Sequence, residues 1–309
     1  MPLSAKEFLD VIAWKGFEVP KGGWTAQAFA VHGYALLRTM IRAAQITQRR
    51  AAPIVARSAM KVFKEQLEKI ISRVYGKASE APGVKDGSVD LFFPQHEGLW
   101  AQAIDDVLKE TLLKVVVEVV PPVQSVMAQG YSKVGILLGQ ESDPDMNPRI
   151  AREARDVALR IVRINNTTRN QMATIVRNSI AEGLTVSETA QVMREEMPKR
   201  FANRVLTIAR TELNNSWTQG AAIQFQNSSV VTHVSVIGCQ AREPKSPQFR
   251  GESTCNIQDV PIHEIDELME VGWHINHTGT LVPSRFRTED GSSNTDAERP
   301  EMLDAQPEG

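Results

Sequence analysis

The sequence predicts a mainly helical amino-terminal region, followed by a helical lead-in and a small α+β module toward the carboxyl end. Ala, Arg, Glu and Gln are plentiful and aromatic residues make up only 6% of the chain, a composition that favours helices. Between residues 55 and 74, many apolar residues recur at spacings of three and four, as on one side of a helix. After Gly220 the pattern changes, and Val230–Ile237 is β-branched and partly alternating, which predicts a strand.

The first predicted domain comprises residues 1–147. Its expected helices cover about residues 4–16, 34–52, 53–76, 97–120 and 123–138. Pro53 is expected to kink the chain or to begin a new helix, and Pro121-Pro122 to stop or bend another. The β-branched run 115–120 leaves a strand open as an alternative, and residues 90–94 are a short strand or a loop. A polar hinge at 141–145 marks the domain boundary.

The second predicted domain, residues 148–287, begins with the helical lead-in. Thr167 or Thr168 is expected to cap a helix that ends at Gly183. Thr185 and Glu188 have the spacing of a capping box, which predicts a further helix to about residue 197. A new helix is expected after Pro198, and a short helix over 262–271 and a strand within 273–282 complete the module.

Residues 288–309 form the third predicted segment, a disordered acidic tail. Every residue from 288 to 297 is small, polar or acidic, so the segment has almost no apolar surface to bury. We expect folding to proceed without it.

The stretch Arg204–Ile223 organises the second domain. On a helical projection its apolar side includes Phe201, Val205 and Ile208, and Glu212 falls within that side. A buried carboxylate needs a charge partner or hydrogen-bond donors. Arg210 lies two residues away and points elsewhere, so each side chain is expected to find its partner outside the helix. Both act as structural anchors or, alternatively, form a catalytic pair.

Several short motifs resemble those of a known family. Ile208-Ala209-Arg210-Thr211-Glu212, with Asn215 and Gly220, resembles the Ala-Arg-Thr-Glu helix of the phage Mu F-like head morphogenesis family. Residues 166–171 and 180–185 resemble its lead-in. Residues 274–283 resemble its closing His-Pro-Asn-Cys-Arg-Cys segment, with His277 and Gly279 where that pattern has cysteines. The resemblance covers about residues 160–285.

This resemblance implies a structural, non-enzymatic role as a minor capsid protein of a tailed phage. The implied motif residues are Arg204, Arg210, Thr211, Glu212, Asn215 and Gly220. The implied partners are portal or head proteins, with packaged DNA as a further candidate, and the implied site of action is the head of the virion, after synthesis in the host cytoplasm. A role in head morphogenesis at or near the portal would extend to DNA packaging or ejection.

Two cysteines and two histidines form the one candidate set of metal ligands in the sequence. They are Cys239, Cys255, His274 and His277. Cys and His are the usual zinc ligands, which makes zinc the candidate metal. The cysteines are sixteen residues apart, however, rather than in a Cys-x-x-Cys knuckle, which favours the alternative of two ordinary buried thiols with surface histidines.

Composition and the absence of certain motifs argue against several other classes of protein. The net charge of −2 argues against a general nucleic-acid binder, although basic residues between 38 and 73 leave a local DNA-binding face open. Two cysteines exclude a disulfide scaffold, and the apolar runs are too short to span a membrane. No phosphate loop or nucleophile elbow is present. The alternatives are an enzyme acting on nucleotides or DNA through Glu212 and Arg210, and a DNA-binding accessory protein.

Overall fold

The computed structural model describes residues 17–79, 96–140, 148–162, 164–237, 259–270 and 279–287. These ranges are mainly helical, with a three-stranded antiparallel sheet near the carboxyl end, which confirms the predicted fold class. The elements in chain order are α1 (Ala26–Ser79), α2 (His96–Leu137), α3 (Pro148–Val162), α4 (Ile164–Ala181), α5 (Val186–Asn227), β1 (Val231–Ile237), β2 (Val260–Pro261), a 3-10 turn (Ile262–Glu264), α6 (Ile265–Glu270) and β3 (Thr280–Phe286). The predictions for residues 4–16, 90–94, 141–145 and 288–309 lie outside the described residues.

Three helices are longer than the sequence predicted because they continue through proline. Pro53 lies within α1, Pro121-Pro122 within α2 and Pro198 within α5. A proline removes one helical hydrogen bond, but the buried side chains on either side, such as Val119 and Val123 in α2, keep the helix packed. The helix ends predicted at these prolines were therefore wrong, and so was the strand alternative for 115–120. The other alternative, a kink at Pro53 or a bend at Pro121-Pro122, stays a prediction.

The ends of α4 and the start of α5 follow local sequence signals. Gly183 has a φ of +73°, and Leu184 N–H donates to Ser179 O at 2.9 Å, the pattern of a Schellman motif. The Thr185 hydroxyl accepts from Glu188 N–H at 3.2 Å, and the Glu188 carboxylate accepts from Thr185 N–H at 2.8 Å. Both predictions are confirmed. The predicted cap at Thr167 or Thr168 was wrong, because α4 begins at Ile164.

The chain forms two compact units, each assembled from separated segments. The first unit contains residues 1–52, 122–157 and 210–309, and the second contains 53–121 and 158–209. Each unit thus takes segments from both sides of residue 147, unlike the sequential domains expected from the sequence. The expected boundaries rested on polar, loop-forming composition, whereas the division between units falls inside α1, α2, α3 and α5.

The sheet and its aromatic cover belong to the first unit. The strand order is β2-β1-β3, with Val234 opposite Val260 on one side and opposite Pro283 on the other. A proline is tolerated in β3 because β3 is an edge strand. The ring of Phe286 lies 4.7 Å from that of Phe29 and 5.8 Å from that of Trp24, between ring centroids. These contacts fix the end of β3 beside the first turns of α1.

The second unit is a helical bundle with an apolar core and a charged surface. Phe63 and Phe201 stack with ring centroids 3.9 Å apart, and Gln66 donates to Thr111 Oγ1 at 2.7 Å. Ion pairs join neighbouring helices at the surface: Lys69–Glu110, Arg73–Glu110, Lys114–Glu65, Arg169–Asp105 and Arg194–Glu68. Leu113 and Val117 on α2 remain exposed, at 75% and 69%.

Among the described residues, no single helix is long and apolar enough to cross a membrane. The two halves of α2, residues 97–111 and 116–137, pass that test only as a bent pair, by length and composition.

Candidate functional site

The motif residues on α5 differ sharply in exposure. Arg210 is exposed, Glu212 is half-buried, and Thr211 and Asn215 are buried at 6% and 7% exposure. These four residues belong to the first unit. Arg204 belongs to the second unit, where burial lowers the pKa of its guanidinium. Within the first unit, the motif side chains therefore do not form one exposed surface.

Glu212 is less buried than its place on the helical projection predicted. The helical projection placed it inside the apolar side of α5 with a partner beyond the helix. In the structure it is half-buried, and the amide nitrogen of Asn215, one turn further along the same helix, donates to its carboxylate at 3.3 Å. Its backbone carbonyl accepts from the Ser216 hydroxyl at 2.7 Å. A local hydrogen bond thus supplies part of what a long-range partner was expected to supply.

Gly220 is a helix-contact residue. A Cβ on Gly220 would overlap the backbone carbonyl of Met127 on α2 and lie 2.9 Å from Tyr131 N. The contact is reciprocal, because a Cβ on Gly130 of α2 would overlap the backbone carbonyl of Trp217 and lie 3.1 Å from its carbonyl carbon. Two facing glycines therefore allow the backbones of α2 and α5 to touch, and neither position accommodates a side chain.

Asn214 joins three parts of the first unit, and the sequence reasoning did not select it. It is fully buried, its side-chain oxygen accepts from the amide of Gln48 on α1, and its amide donates to Gly279 O at 3.0 Å. Gly279 comes immediately before β3. Asn214 lies on α5, and both the oxygen and the amide nitrogen of its buried side chain have hydrogen-bond partners. Such a residue fixes the position of α5 relative to the segments that supply those partners. In the sequence, the feature that could have identified Asn214 is its position directly before another asparagine, the motif residue Asn215.

Lys133 on α2 was also missed. It is half-buried, and its ammonium donates to Thr47 Oγ1 at 3.1 Å and to Gln129 Oε1 at 2.8 Å. Its Nζ lies 5.7 Å from the centroid of the buried Trp217 ring. Burial, with a smaller contribution from the charge of Arg50, lowers the pKa of the Lys133 amine to about 8. The sequence feature that could have identified Lys133 is its position in the helix. On a helical projection it lies in line with the buried Val126, Gly130 and Leu137.

Thr47, Gln48, Gln129, Lys133 and Asn214 together form what we term the α5 polar cluster. It draws its members from α1, α2 and α5 within the first unit. Chemically, the cluster offers one amine whose pKa is lowered to about 8, a hydroxyl and an amide oxygen that accept from that amine, and a separate pair of amides that bond each other. Hydrogen bonds of this kind, already made within the protein, are typical of groups that orient helices.

A second polar group surrounds Asp259 at the sheet. Asp259 has a φ of +62°, its N–H donates to Ser235 Oγ at 2.8 Å, and its carboxylate accepts from Ser284 and from both ends of the Arg285 guanidinium. Burial alone would raise the pKa of this carboxyl, but the hydrogen bonds from Arg285 and Ser284 outweigh it and lower the pKa. The neighbouring His233 has a pKa lowered by burial. The bidentate pair clamps the residue before β2 to β3.

The candidate zinc ligands are two cysteines and two histidines of the carboxyl-terminal module. Cys239, Cys255, His274 and His277 all lie outside the described residues. Within the part of the chain that the structure covers, no group of three or more His, Cys, Asp or Glu residues is placed to hold a metal ion. Zinc bound by those four residues therefore stays a prediction.

The described motif residues contribute mainly to the packing of the first unit. Asn215 bonds Glu212, Gly220 lets two helices touch, and the adjacent Asn214 holds α5 to α1 and to the approach of β3. Comparisons of the chain with protein-family models, with curated proteins and with solved structures gave no match.

Proposed function

We propose that the chain is a structural minor head protein of a tailed bacteriophage. It joins the portal or procapsid during assembly and stays in the particle. The observation that carries the proposal is the order of four short motifs, between about residues 160 and 285, that resemble the Mu F-like head morphogenesis family. Each motif is short, and their order along the chain supplies the specificity.

The hydrogen bonding of the motif region supports the proposal. The Ala-Arg-Thr-Glu stretch and the closing segment are far apart in sequence, yet Asn214 in the helix donates to Gly279 in the closing segment. Both lie in one compact unit. Motifs that belong to one family module are expected to pack together, and these two do.

Assembly with neighbouring gene products tests the proposal. We would express the chain together with the portal, scaffold and major shell proteins of the phage that encodes it, and sediment the resulting particles. The proposal expects the chain in the particle fraction and, when the portal is omitted, a strong loss from it. A chain that stays at the top of the gradient with all partners present would contradict the proposal.

The partner contacts can be tested on the exposed apolar pair of the second unit. Leu113 and Val117 lie one turn apart on α2, and exposed apolar groups often mark interaction sites. The double substitution Leu113→Asp and Val117→Asp should leave the melting temperature nearly unchanged and reduce incorporation into particles. Gln102→Asp, at an exposed position of the same helix, is the matched control. Normal incorporation of the double variant would place the contact elsewhere.

An enzyme acting on nucleotides or DNA remains a second candidate, because Arg210 is exposed and Glu212 is half-buried, so a ligand could reach both. Glu212→Gln separates the two functions. It keeps the shape of the side chain and an oxygen that can accept from Asn215. A structural protein bearing it should enter particles at the normal level. If the Glu212→Gln variant folds and still assembles but loses its function, the result would favour the enzyme over the structural protein.

A further inference from the structure

The part of α1 that belongs to the first unit is basic along one side. Residues 26–52 contain four arginines and no Lys, Asp or Glu. Arg38, Arg42, Gln45 and Arg49 follow one another at spacings of four, three and four, so their side chains lie on one side of the helix. We term these four residues the arginine stripe.

The stripe is the solvent-facing side of this part of α1. Each of its members is exposed except Arg38, which is half-buried. The opposite side of the same helix holds Leu36, Met40 and Thr47, which are at most 4% exposed. Burial of that opposite side fixes the rotation of α1 within the unit, and the stripe is therefore held toward solvent by the core.

The charges of the stripe are not neutralised within the described part of the first unit. Arg42 and Arg49 have no ion-pair partner among those residues. The ion pairs that arginines form in that unit belong to Arg149, Arg152 and Arg285. Two guanidinium groups on one line are therefore available to an anion from outside the chain.

The length of the stripe matches several phosphates of a nucleic-acid backbone. Arg38 and Arg49 are eleven residues apart, or about 16 Å along the helix. Duplex DNA carries one negative charge per about 1.7 Å of its axis, so about ten phosphates lie within that length. Arg38 is held in place, since its guanidinium carbon lies 5.4 Å from the centroid of the Tyr34 ring. Arginine and glutamine side chains both donate to phosphate oxygens.

The surroundings of the stripe favour nucleic acid over an acidic protein as its partner. From residue 38 to residue 52, where every residue is described, no large apolar side chain is exposed. Protein interfaces are depleted of charged residues at their centre and use aromatic or other large anchors there. Interfaces with DNA are polar and strongly positive. The stripe has the composition of the second kind.

We propose that the arginine stripe of α1 binds the phosphate backbone of duplex DNA without selecting a base sequence. Three guanidinium groups on one line, with no acidic residue in that part of the helix, carry the inference. It names a nucleic-acid partner for the head protein proposed above. The observations behind it lie in α1 alone, so DNA binding and entry into particles are separate measurements.

Fluorescence anisotropy with a labelled duplex of mixed sequence tests the proposal on the whole chain. A duplex of about 20 base pairs is about 70 Å long at 3.4 Å per step, which exceeds the length of the stripe. Each neutralised phosphate weakens binding about 3.5-fold when salt rises from about 20 to about 80 mM. With three arginines engaged, the Kd should rise at least about 40-fold over that range. For the variant Arg42→Gln with Arg49→Gln, the rise should be about tenfold smaller.

Two further variants separate phosphate contacts from other effects. Arg42→Lys with Arg49→Lys keeps both charges, and its salt dependence should stay within about twofold of that of the original chain. Arg152→Gln with Arg155→Gln removes the same net charge from exposed positions of α3, where Glu153 lies between them. This matched control should bind DNA as the original chain does, with the same salt dependence.

Three outcomes would overturn the proposal. Equal salt dependence in the original chain and the Arg42→Gln, Arg49→Gln variant would place the DNA contact elsewhere. An equal loss in the α3 control would attribute binding to net charge alone. If the Arg42→Gln, Arg49→Gln variant keeps its melting temperature and binds DNA normally but is lost from particles, the stripe contacts a head protein instead. A lower affinity with normal entry into particles would support the proposal.

Discussion

The two compact units hold their helices together by different means. In the second unit, ion pairs between exposed side chains join neighbouring helices over an apolar core that includes the stacked Phe63 and Phe201. In the first unit, the helices meet through backbone contact at Gly130 and Gly220 and through the buried hydrogen bonds of Asn214. Both units are helical, yet their packing places different demands on the sequence.

This difference predicts which positions are sensitive to substitution. Exposed ion pairs contribute about 0–1 kcal/mol each, and many replacements preserve them. A backbone contact tolerates no side chain, and a buried amide that loses its partner leaves two groups unsatisfied. We therefore expect the first unit to be sensitive at few positions and the second to be tolerant at many. The predictions below test that contrast, from the largest expected effect to the smallest.

Gly220→Ala should have the largest effect. The added methyl group would overlap the backbone of Met127, which cannot move aside as a flexible side chain could. We expect the free energy of unfolding to fall by about 3 kcal/mol or more, the upper part of the range for overpacked cores. Gly98→Ala, where the methyl group meets nothing within 4 Å, is the control and should be neutral or stabilising by up to about 1 kcal/mol. Denaturant unfolding of both variants measures the contrast, and similar values would remove it.

Asn214→Leu should cost about 2–3 kcal/mol. The substitution leaves the amide of Gln48 without its acceptor and the carbonyl of Gly279 without its donor, at about 1–3 kcal/mol for each unsatisfied group. Hydrogen exchange of β3 amides should also accelerate, because the approach to β3 loses its tie to α5. Asn178→Leu, at an exposed position of α4, should change stability by less than about 0.5 kcal/mol. Unchanged exchange in β3 would argue against the tie.

Lys133→Met should change the dependence of stability on pH. The pKa of Lys133 is about 8 in the folded protein and 10.5 for an ordinary solvated lysine, so between these pH values the unfolded chain binds a proton that the folded chain does not. Stability from this group therefore rises with pH across that window. The shift sets an upper limit of about 3 kcal/mol, and partial solvation reduces the expected gain to about 1–2 kcal/mol.

The measurement is the difference between the original chain and the Lys133→Met variant in urea unfolding from about pH 8 to about pH 10.5. The original chain should gain stability relative to the variant as the pH rises. Lys109→Met, at an exposed position of the same helix, is the control. A difference that stays flat with pH would show that the amine of Lys133 is solvated.

Neutralising an ion pair of the second unit should have the smallest effect. The side chains of Glu68 and Arg194 are 55% and 47% exposed, although they meet in three hydrogen bonds. A double-mutant cycle with Glu68→Gln and Arg194→Gln should give a coupling energy below about 1 kcal/mol. A coupling well above that value would mean that the surface of this unit is as demanding as the core of the first.

Local features of the fold could be predicted from the sequence. The Thr185–Glu188 capping box, the Gly183 terminus and the strand Val231–Ile237 all follow from residues close together in the chain. Their physical basis is the backbone conformation and hydrogen bonding of a few neighbours. The predicted zinc ligands and the acidic segment concern residues outside the described ranges, and both stay predictions.

Only the tertiary structure decided which distant segments share a core. The sequence alone determined the mainly helical class with a small sheet and the order of the motifs. It did not show that α1, α2 and α5 continue through their prolines, because packing on both sides of each proline outweighs one lost hydrogen bond. Nor did it pair Gly220 with Gly130 or Asn214 with Gln48. Those partners lie 90 and 166 residues apart, and no local pattern encodes which of many possible contacts the folded chain selects.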